Sequence, residues 1–267
     1  MHSSCYSDIL RRIEAAIESA QTVFAGFTPG EIEAEYKIGH DPVTEADRAV
    51  DAALRKQLLR EGEGWLSEES VDDMSRLSKS RVWVVDAIDG TREFVEGIPE
   101  FCVSIGFVDQ GRPVAGGICN PATAERVIGA IDCGVEYNGK PVHASQRSSL
   151  KGAVILASRS EIKRGEWEEF SSGEFQIQPM GSVAYKLALV AAGRADSMFT
   201  LTAKHEWDVV AGAALVESAG GFVATLDRAG LVANRRNPHL SGLIACGPWL
   251  KDELLKLVEP HLRARAK

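Results

Sequence analysis

Residues 83–94 read Trp83-Val-Val-Asp86-Ala-Ile-Asp89-Gly90-Thr91-Arg-Glu-Phe94. The apolar run from Arg81 to Asp86 has the composition of a buried strand and ends on an acid. Asp-x-x-Asp-Gly-Thr then follows. Asp and Gly at a strand end often make only a turn, but other acids stand in comparable places. Glu68-Glu69 ends the short run Gly64-Trp-Leu-Ser67. Asp47 lies in Asp41-Pro-Val-Thr-Glu-Ala-Asp47, and Asp208 begins a helix in Trp207-Asp208-Val-Val-Ala-Gly212. Each sits at the edge of a regular element, from which it can point into one cleft.

Upstream, Ile9, Leu10, Ile13, Ala16, Ile17, Ala20 and Val23 recur at helical spacing and predict an amphipathic helix over 7–26. Thr44 and Asp47 have the spacing of a capping box, and Val50, Leu54, Leu58 and Leu59 give helix 44–60 its apolar stripe. Downstream, strands 101–108 and 113–119 flank the hairpin signal Asp109-Gln-Gly-Arg112. Strands 125–131 and 134–137 follow, with Asn138-Gly139 as a tight turn. Beyond them the pattern alternates. Strands are predicted at 153–158, 175–179, 196–200, 222–226 and 242–246, and helices at 161–171, 182–192, 207–219 and 249–264. This order predicts a layered mixed α/β architecture. Its N-terminal α+β lobe would span 1–147 and its C-terminal α/β lobe 148–267, meeting near Ser145-Gln-Arg-Ser-Ser-Leu-Lys-Gly152.

Composition narrows the function. The chain has 267 residues, 45% apolar and 25% charged, with 30 basic against 38 acidic side chains and a net charge of −8. That balance argues against a general nucleic-acid binder, which needs a basic face. The start, Met-His-Ser-Ser-Cys5, has neither the basic nor the apolar region of a secretory signal. No run approaches 18 apolar residues, so no membrane span is expected. Cys5, Cys102, Cys119, Cys133 and Cys246 are odd in number and lack zinc-site spacing. Free thiols in a reducing cytoplasm are the expectation. Gly134-Val-Glu-Tyr-Asn-Gly139-Lys140 resembles a phosphate-binding loop, but Pro141 stands where Ser or Thr is needed. His205-Glu206 lacks the second histidine of a zincin helix, and Ser104 lacks the glycine of a nucleophile elbow.

Converging carboxylates demand a cation. Two of them ~4 Å apart repel by roughly 4 kcal/mol at an effective dielectric of ~20, so without one they would take up protons. Hard oxygen donors with no Cys/His set favour magnesium, and magnesium with open positions points to phosphoryl chemistry.

With these residues in view, the sequence resembles the magnesium-dependent, lithium-sensitive phosphomonoesterases of the inositol monophosphatase superfamily. The matching pieces are Asp41–Asp47, Leu66-Ser-Glu-Glu-Ser70, Trp83–Phe94, Gly181-Ser182 leading to Ala192-Gly-Arg-Ala-Asp196, Trp207-Asp208 and Ala219-Gly-Gly221. The resemblance implies that superfamily's αβαβα sandwich and two or three magnesium ions. It implies Glu68, Asp86, Asp89, Asp208 and the Ile88 carbonyl as metal ligands. It implies Gly90 and Thr91 as phosphate binders, and Asp47 with Thr91 as activators of the attacking water. Glu69 is implied to support Glu68. Ala87 departs from the family's usual Pro without removing a ligand, and Lys37 is given no role.

The implied substrate is a small phosphorylated molecule. Inositol monophosphatases usually carry a Glu seven residues before Asp208; here it is Leu201. Leu66-Ser-Glu-Glu69, Asp89-Gly-Thr-Arg-Glu-Phe94, Ser158-Arg159-Ser160 and a Lys, Lys186, five residues after Gly181 resemble the 3′(2′),5′-bisphosphate nucleotidase branch. Ser158, Arg159, Gly181, Ser182 and Lys186 are therefore expected at the substrate, Lys186 otherwise lying on a solvated helix face. Arg92 reads either as a substrate contact or as a surface ion pair with Glu93 or Glu96. Phe94 and Phe101 read as core. The alternatives are an inositol-1-phosphate or other sugar, polyol or histidinol phosphate phosphatase, a catalytically silent metal- or phosphate-binding regulator, or a structural module. A homodimer is expected only by analogy with relatives.

Overall fold

The computed structural model describes residues 6–36, 42–226 and 230–265. Lys37 and Asp41 lie outside the described residues, as does Cys5. The chain begins with α1 (Ser7–Phe24), two paired two-residue strands, β1 (Glu35–Tyr36) and β2 (Pro42–Val43), and α2 (Glu45–Leu58). Thr44 caps α2. Its hydroxyl accepts from Asp47 N, and the Asp47 carboxylate accepts from Thr44 N, the reciprocal box its spacing predicts.

A seven-stranded sheet follows: β3 (Gly64–Ser67), β4 (Arg81–Asp89), β5 (Cys102–Asp109), β6 (Arg112–Asn120), β7 (Glu125–Ala130), β8 (Gly134–Tyr137) and β9 (Lys140–Val142), side by side in that order. One short helix, α3 (Thr91–Val95), interrupts it after β4. The expected turns are present. Gln110-Gly111 and Asn138-Gly139 all have positive φ, as two-residue hairpin loops require. The failed phosphate-loop stretch is thus the β8–β9 hairpin.

The rest is β10 (Val154–Ser158), α4 (Arg159–Lys163), β11 (Gln176–Met180), α5 (Val183–Ala191), β12 (Ser197–Thr200), β13 (Lys204–His205), α6 (Glu206–Ser218), β14 (Phe222–Thr225), β15 (His239–Leu240), β16 (Leu243–Cys246) and α7 (Lys251–Arg265). Five of these strands form a second sheet in the order β11-β10-β12-β16-β14, parallel except for the antiparallel β16 between β12 and β14. The helix expected over 161–171 is the shorter α4. Gly165 at φ +78° ends it, and only a 3-10 turn, Glu168–Phe170, follows.

Stacking gives five layers. The apolar stripe of α1 and α2 (Ile9, Ile13, Ile17, Val50, Leu54) covers one face of the first sheet. Burying each such side chain is worth about 1.5–3 kcal/mol. On the other face, α5 and α6 pack between the two sheets. The far face of the second sheet is closed by Trp167, Phe170 and the α7 residues Leu254 and Val258. Gly116 and Gly117 on β6 permit the close approach. A Cβ at Gly116 would stand 2.3 Å from the Ala211 carbonyl of α6, and one at Gly117 2.1 Å from Ile13 of α1. The αβαβα order is the one expected. Among the described residues no helix is long and apolar enough to cross a membrane, and Cys102, Cys119, Cys133 and Cys246 are free.

Candidate active site

The first sheet delivers its acids to one end of β3 and β4. These strands run parallel, Ser67 opposite Val85, so Glu68, the first residue past β3, stands beside Asp86 in β4. Helix α6, packed against β4 and β5, brings Asp208 to the same place from its first turn. Carboxylate oxygens of Glu68, Asp86 and Asp208 lie within 4.8 Å of one another, the one such acidic trio among the described residues. At that separation each pair repels by roughly 3–4 kcal/mol at an effective dielectric of ~20. Burial first, then Glu68 and its acidic neighbours, push Asp86 well above the usual carboxylate range. Asp208 is raised in the same way, by burial and then by Asp89 and Glu68. Protonation or a cation relieves such a cluster. Three oxygen donors with no Cys or His among them fit a hard divalent ion such as magnesium.

Asp89 lines the same cavity but leans toward α5. Its Oδ2 accepts from the Ser182 hydroxyl at 2.8 Å and from the Ala184 N–H. Its carboxyl is raised chiefly by burial, against which these bonds and Lys186 pull it down. Asp86 Oδ1 accepts from Ile88 N at 3.0 Å, which closes the turn between the two acids.

Gly90 and Thr91 start α3. Gly90 has φ +99°, and a Cβ there would meet the Glu100 carbonyl at 2.9 Å, so the turn is built for glycine. Thr91 Oγ1 lies 2.9 Å from the Ile88 carbonyl and 3.0 Å from Asp47 Oδ1. Asp47 is 1% exposed, and burial raises its carboxyl. A cavity of about 410 Å³ opens over Glu68, Asp86, Asp89, Gly90, Thr91 and Asp208, and Arg92, Glu93, Lys204 and His205 also line it.

Three residues expected at the substrate have other partners. Arg159 clasps the Glu100 carboxylate with Nε and Nη2, at 2.6 and 2.5 Å. Ser158 bonds Ser160. Lys186 is 2% exposed and donates to three backbone carbonyls. None of the three lines the cavity. Lys186 therefore lies on no solvated face either, because α5 is buried along its whole length between α6 and the second sheet. Gly181 and Ser182 act through backbone and hydroxyl toward Glu100 and Asp89. Phe94 and Phe101 are core, edge to face at 5.0 Å.

Several supports of the site carry no sequence motif. The Asp51 carboxylate accepts from Ser67 and Ser70 and so pins the loop that carries Glu68 and Glu69. Its place on α2 one turn after Asp47 was the available signal. Lys204, in the cavity wall, is 3.5 Å from the buried Glu161. Trp207 and His205 stack in parallel at 4.4 Å beside it.

An acid trio suited to a divalent cation, next to a hydroxyl–carboxylate pair in a layered α/β frame, fits a metal-dependent phosphoric monoester hydrolase. The inositol monophosphatase family model matches residues 7–263, and the chain belongs to that family. It is 32% identical to an inositol-1-monophosphatase of Mesorhizobium japonicum, covering 95% of this chain and 96% of the relative. It is also 32% identical to the Nus factor SuhB of Pseudomonas aeruginosa, over 85% and 86% of the two chains. In structure it is similar to an inositol monophosphatase of Zymomonas mobilis, with a TM-score of 0.79, 28% identity, and 96% and 99% of the chains covered.

Proposed function

We propose that this phosphatase is magnesium-dependent, with Glu68, Asp86, Asp89, Asp208 and the Ile88 carbonyl holding two or three ions. The observation that carries the reading is the acid trio within 4.8 Å beside the Thr91–Asp47 hydrogen bond. When bound, magnesium lowers the pKa of the attacking water and neutralises charge on the leaving oxygen. Glu68, supported by Asp51 and Glu69, orients that water. Thr91, its own hydrogen directed to Asp47, accepts a proton from the water, and Asp47 is the final acceptor. The N–H groups of Gly90 and Thr91 bind the phosphate oxygens. The water oxygen bonds to phosphorus as the bond to the leaving oxygen breaks, and that oxygen leaves with a proton from solvent.

The substrate we favour is a phosphomonoester with a second anionic group, represented by 3′-phosphoadenosine 5′-phosphate. Arg92 and Lys204 in the cavity wall support this reading, since both can meet a second phosphate. Leu201, where an inositol-reading acid would stand, packs in an apolar cluster instead. Inositol-1-phosphate is the second reading, favoured by relatives named inositol-1-monophosphatase. Lithium inhibition, a homodimer and a cytoplasmic location belong to the same proposal. Phosphate release from the two substrates, at equal magnesium, tests it. Preference for the bisphosphate supports the first reading, and preference for inositol-1-phosphate replaces it with the second.

A further inference from the structure

The turn between β11 and α5 is held in an unfavourable shape by a buried cation. Ser182 has φ +53° and ψ 124°, outside the basins an L-residue prefers. Lys186, one helical turn later, donates from Nζ to the carbonyls of Met180, Gly181 and Ser182 at 3.2, 3.1 and 2.6 Å. All three ammonium hydrogens are thereby used. From the front, the Glu100 carboxylate accepts from Gly181 N at 2.7 Å and is itself clasped by Arg159. What the turn presents is a pair of donors, the Ser182 hydroxyl and the Ala184 N–H, both aimed at Asp89 Oδ2.

We infer that Lys186 is a positioning residue for the metal centre: it clamps the Gly181–Ser182 turn so that two donors fix the Asp89 carboxylate. The inference rests on the metal reading of Asp89 above. Outer partners of this kind orient a ligand and tune its affinity for the ion. The sign separates clamp from charge. By Coulomb's law alone, removing a nearby cation tightens metal binding. Loss of a clamp weakens it.

The experiment is calorimetric titration of the purified chain with Mn²⁺, a spectroscopically convenient stand-in for Mg²⁺, for the unaltered protein, Lys186→Gln, Ser182→Ala and the double variant. Melting of each metal-free protein verifies folding. Lys186→Gln is expected to weaken Mn²⁺ binding about tenfold or more. Ser182→Ala is expected to do the same, and the double variant to be little worse than either, because both act through one hydrogen-bonded unit. Should Lys186→Gln not fold, Lys186→Met, of similar length and apolar like the rest of α5, takes its place. Unchanged or tighter binding in the Lys186 variant that folds overturns the inference and leaves the metal centre intact. No binding by the unaltered protein overturns the metal reading and this inference with it.

Discussion

Thr91 Oγ1 stands 3.0 Å from Asp47 Oδ1, joining the first residue of α3 to the capping box of α2 across 44 positions of sequence. The same hydroxyl is 2.9 Å from the Ile88 carbonyl. One hydrogen therefore faces two acceptors, and its choice sets which lone pair is offered to the cavity.

Replacing that hydroxyl tests its role. Thr91→Ala is expected to lower kcat about 10²–10⁴-fold, the range of general-base assistance, with little change in melting temperature because Thr91 is only part-buried. Asp47→Asn should fall in the same range, and the double variant should lose little more. Additive losses in single-turnover kinetics would contradict a shared role.

Asp86→Asn tests the charge argument. Asn retains an oxygen to accept from Ile88 N and removes one of three mutually repelling charges. Turnover with magnesium should disappear, while the metal-free protein, at a pH high enough to ionise all three acids, should melt higher, by about 2–4 °C for each kcal/mol of relieved repulsion. A lower melting temperature would mean that the trio is not strained.

The pH dependence of stability follows from the same acids. Asp86 and Asp208 have folded-state values raised above the ordinary carboxylate range. A raised acid contributes stability that is complete below its unfolded value and lost as pH rises through its folded value. In chelator, the melting temperature should therefore fall as pH climbs above about 4 through the raised values. Magnesium should restore it at neutral pH, since it binds the ionised form. Thermal melts across pH 4–8, with and without the ion, check both signs.

Lys204→Met probes the substrate. It is expected to raise KM for 3′-phosphoadenosine 5′-phosphate about tenfold or more, the cost of a lost charge-assisted contact, and to leave KM for inositol-1-phosphate nearly unchanged. Equal loss with both substrates would assign Lys204 to neutralising Glu161, 3.5 Å away.

What was legible in the sequence was local. The capping box at Thr44, the hairpin glycines, and the acids at the ends of β3 and β4 all announce themselves within a few residues. Convergence of those acids had an indirect signal, since each stood at an element edge. What was illegible depended on partners distant in sequence. The antiparallel placement of β16 between β12 and β14 has no local mark. Arg12 sits on the apolar face of α1, yet is buried against Glu63 at 2.5 Å and the Trp83 ring at 4.8 Å. The motif spacing places Lys186 near the substrate or in solvent, although Val183–Ala191 is apolar on every other side. A helix apolar all round is buried all round, so a lone lysine in it must find carbonyls. That signal was present in the sequence.

The central claim is that the Glu68–Asp86–Asp208 trio is a metal centre that drives phosphomonoester hydrolysis. Phosphate release measured against added magnesium, starting from chelator-treated protein, tests it most directly. No release is expected without the ion, saturating release with it, and none at any magnesium concentration for Asp86→Asn. Release that persists in chelator, or that survives Asp86→Asn, would contradict it.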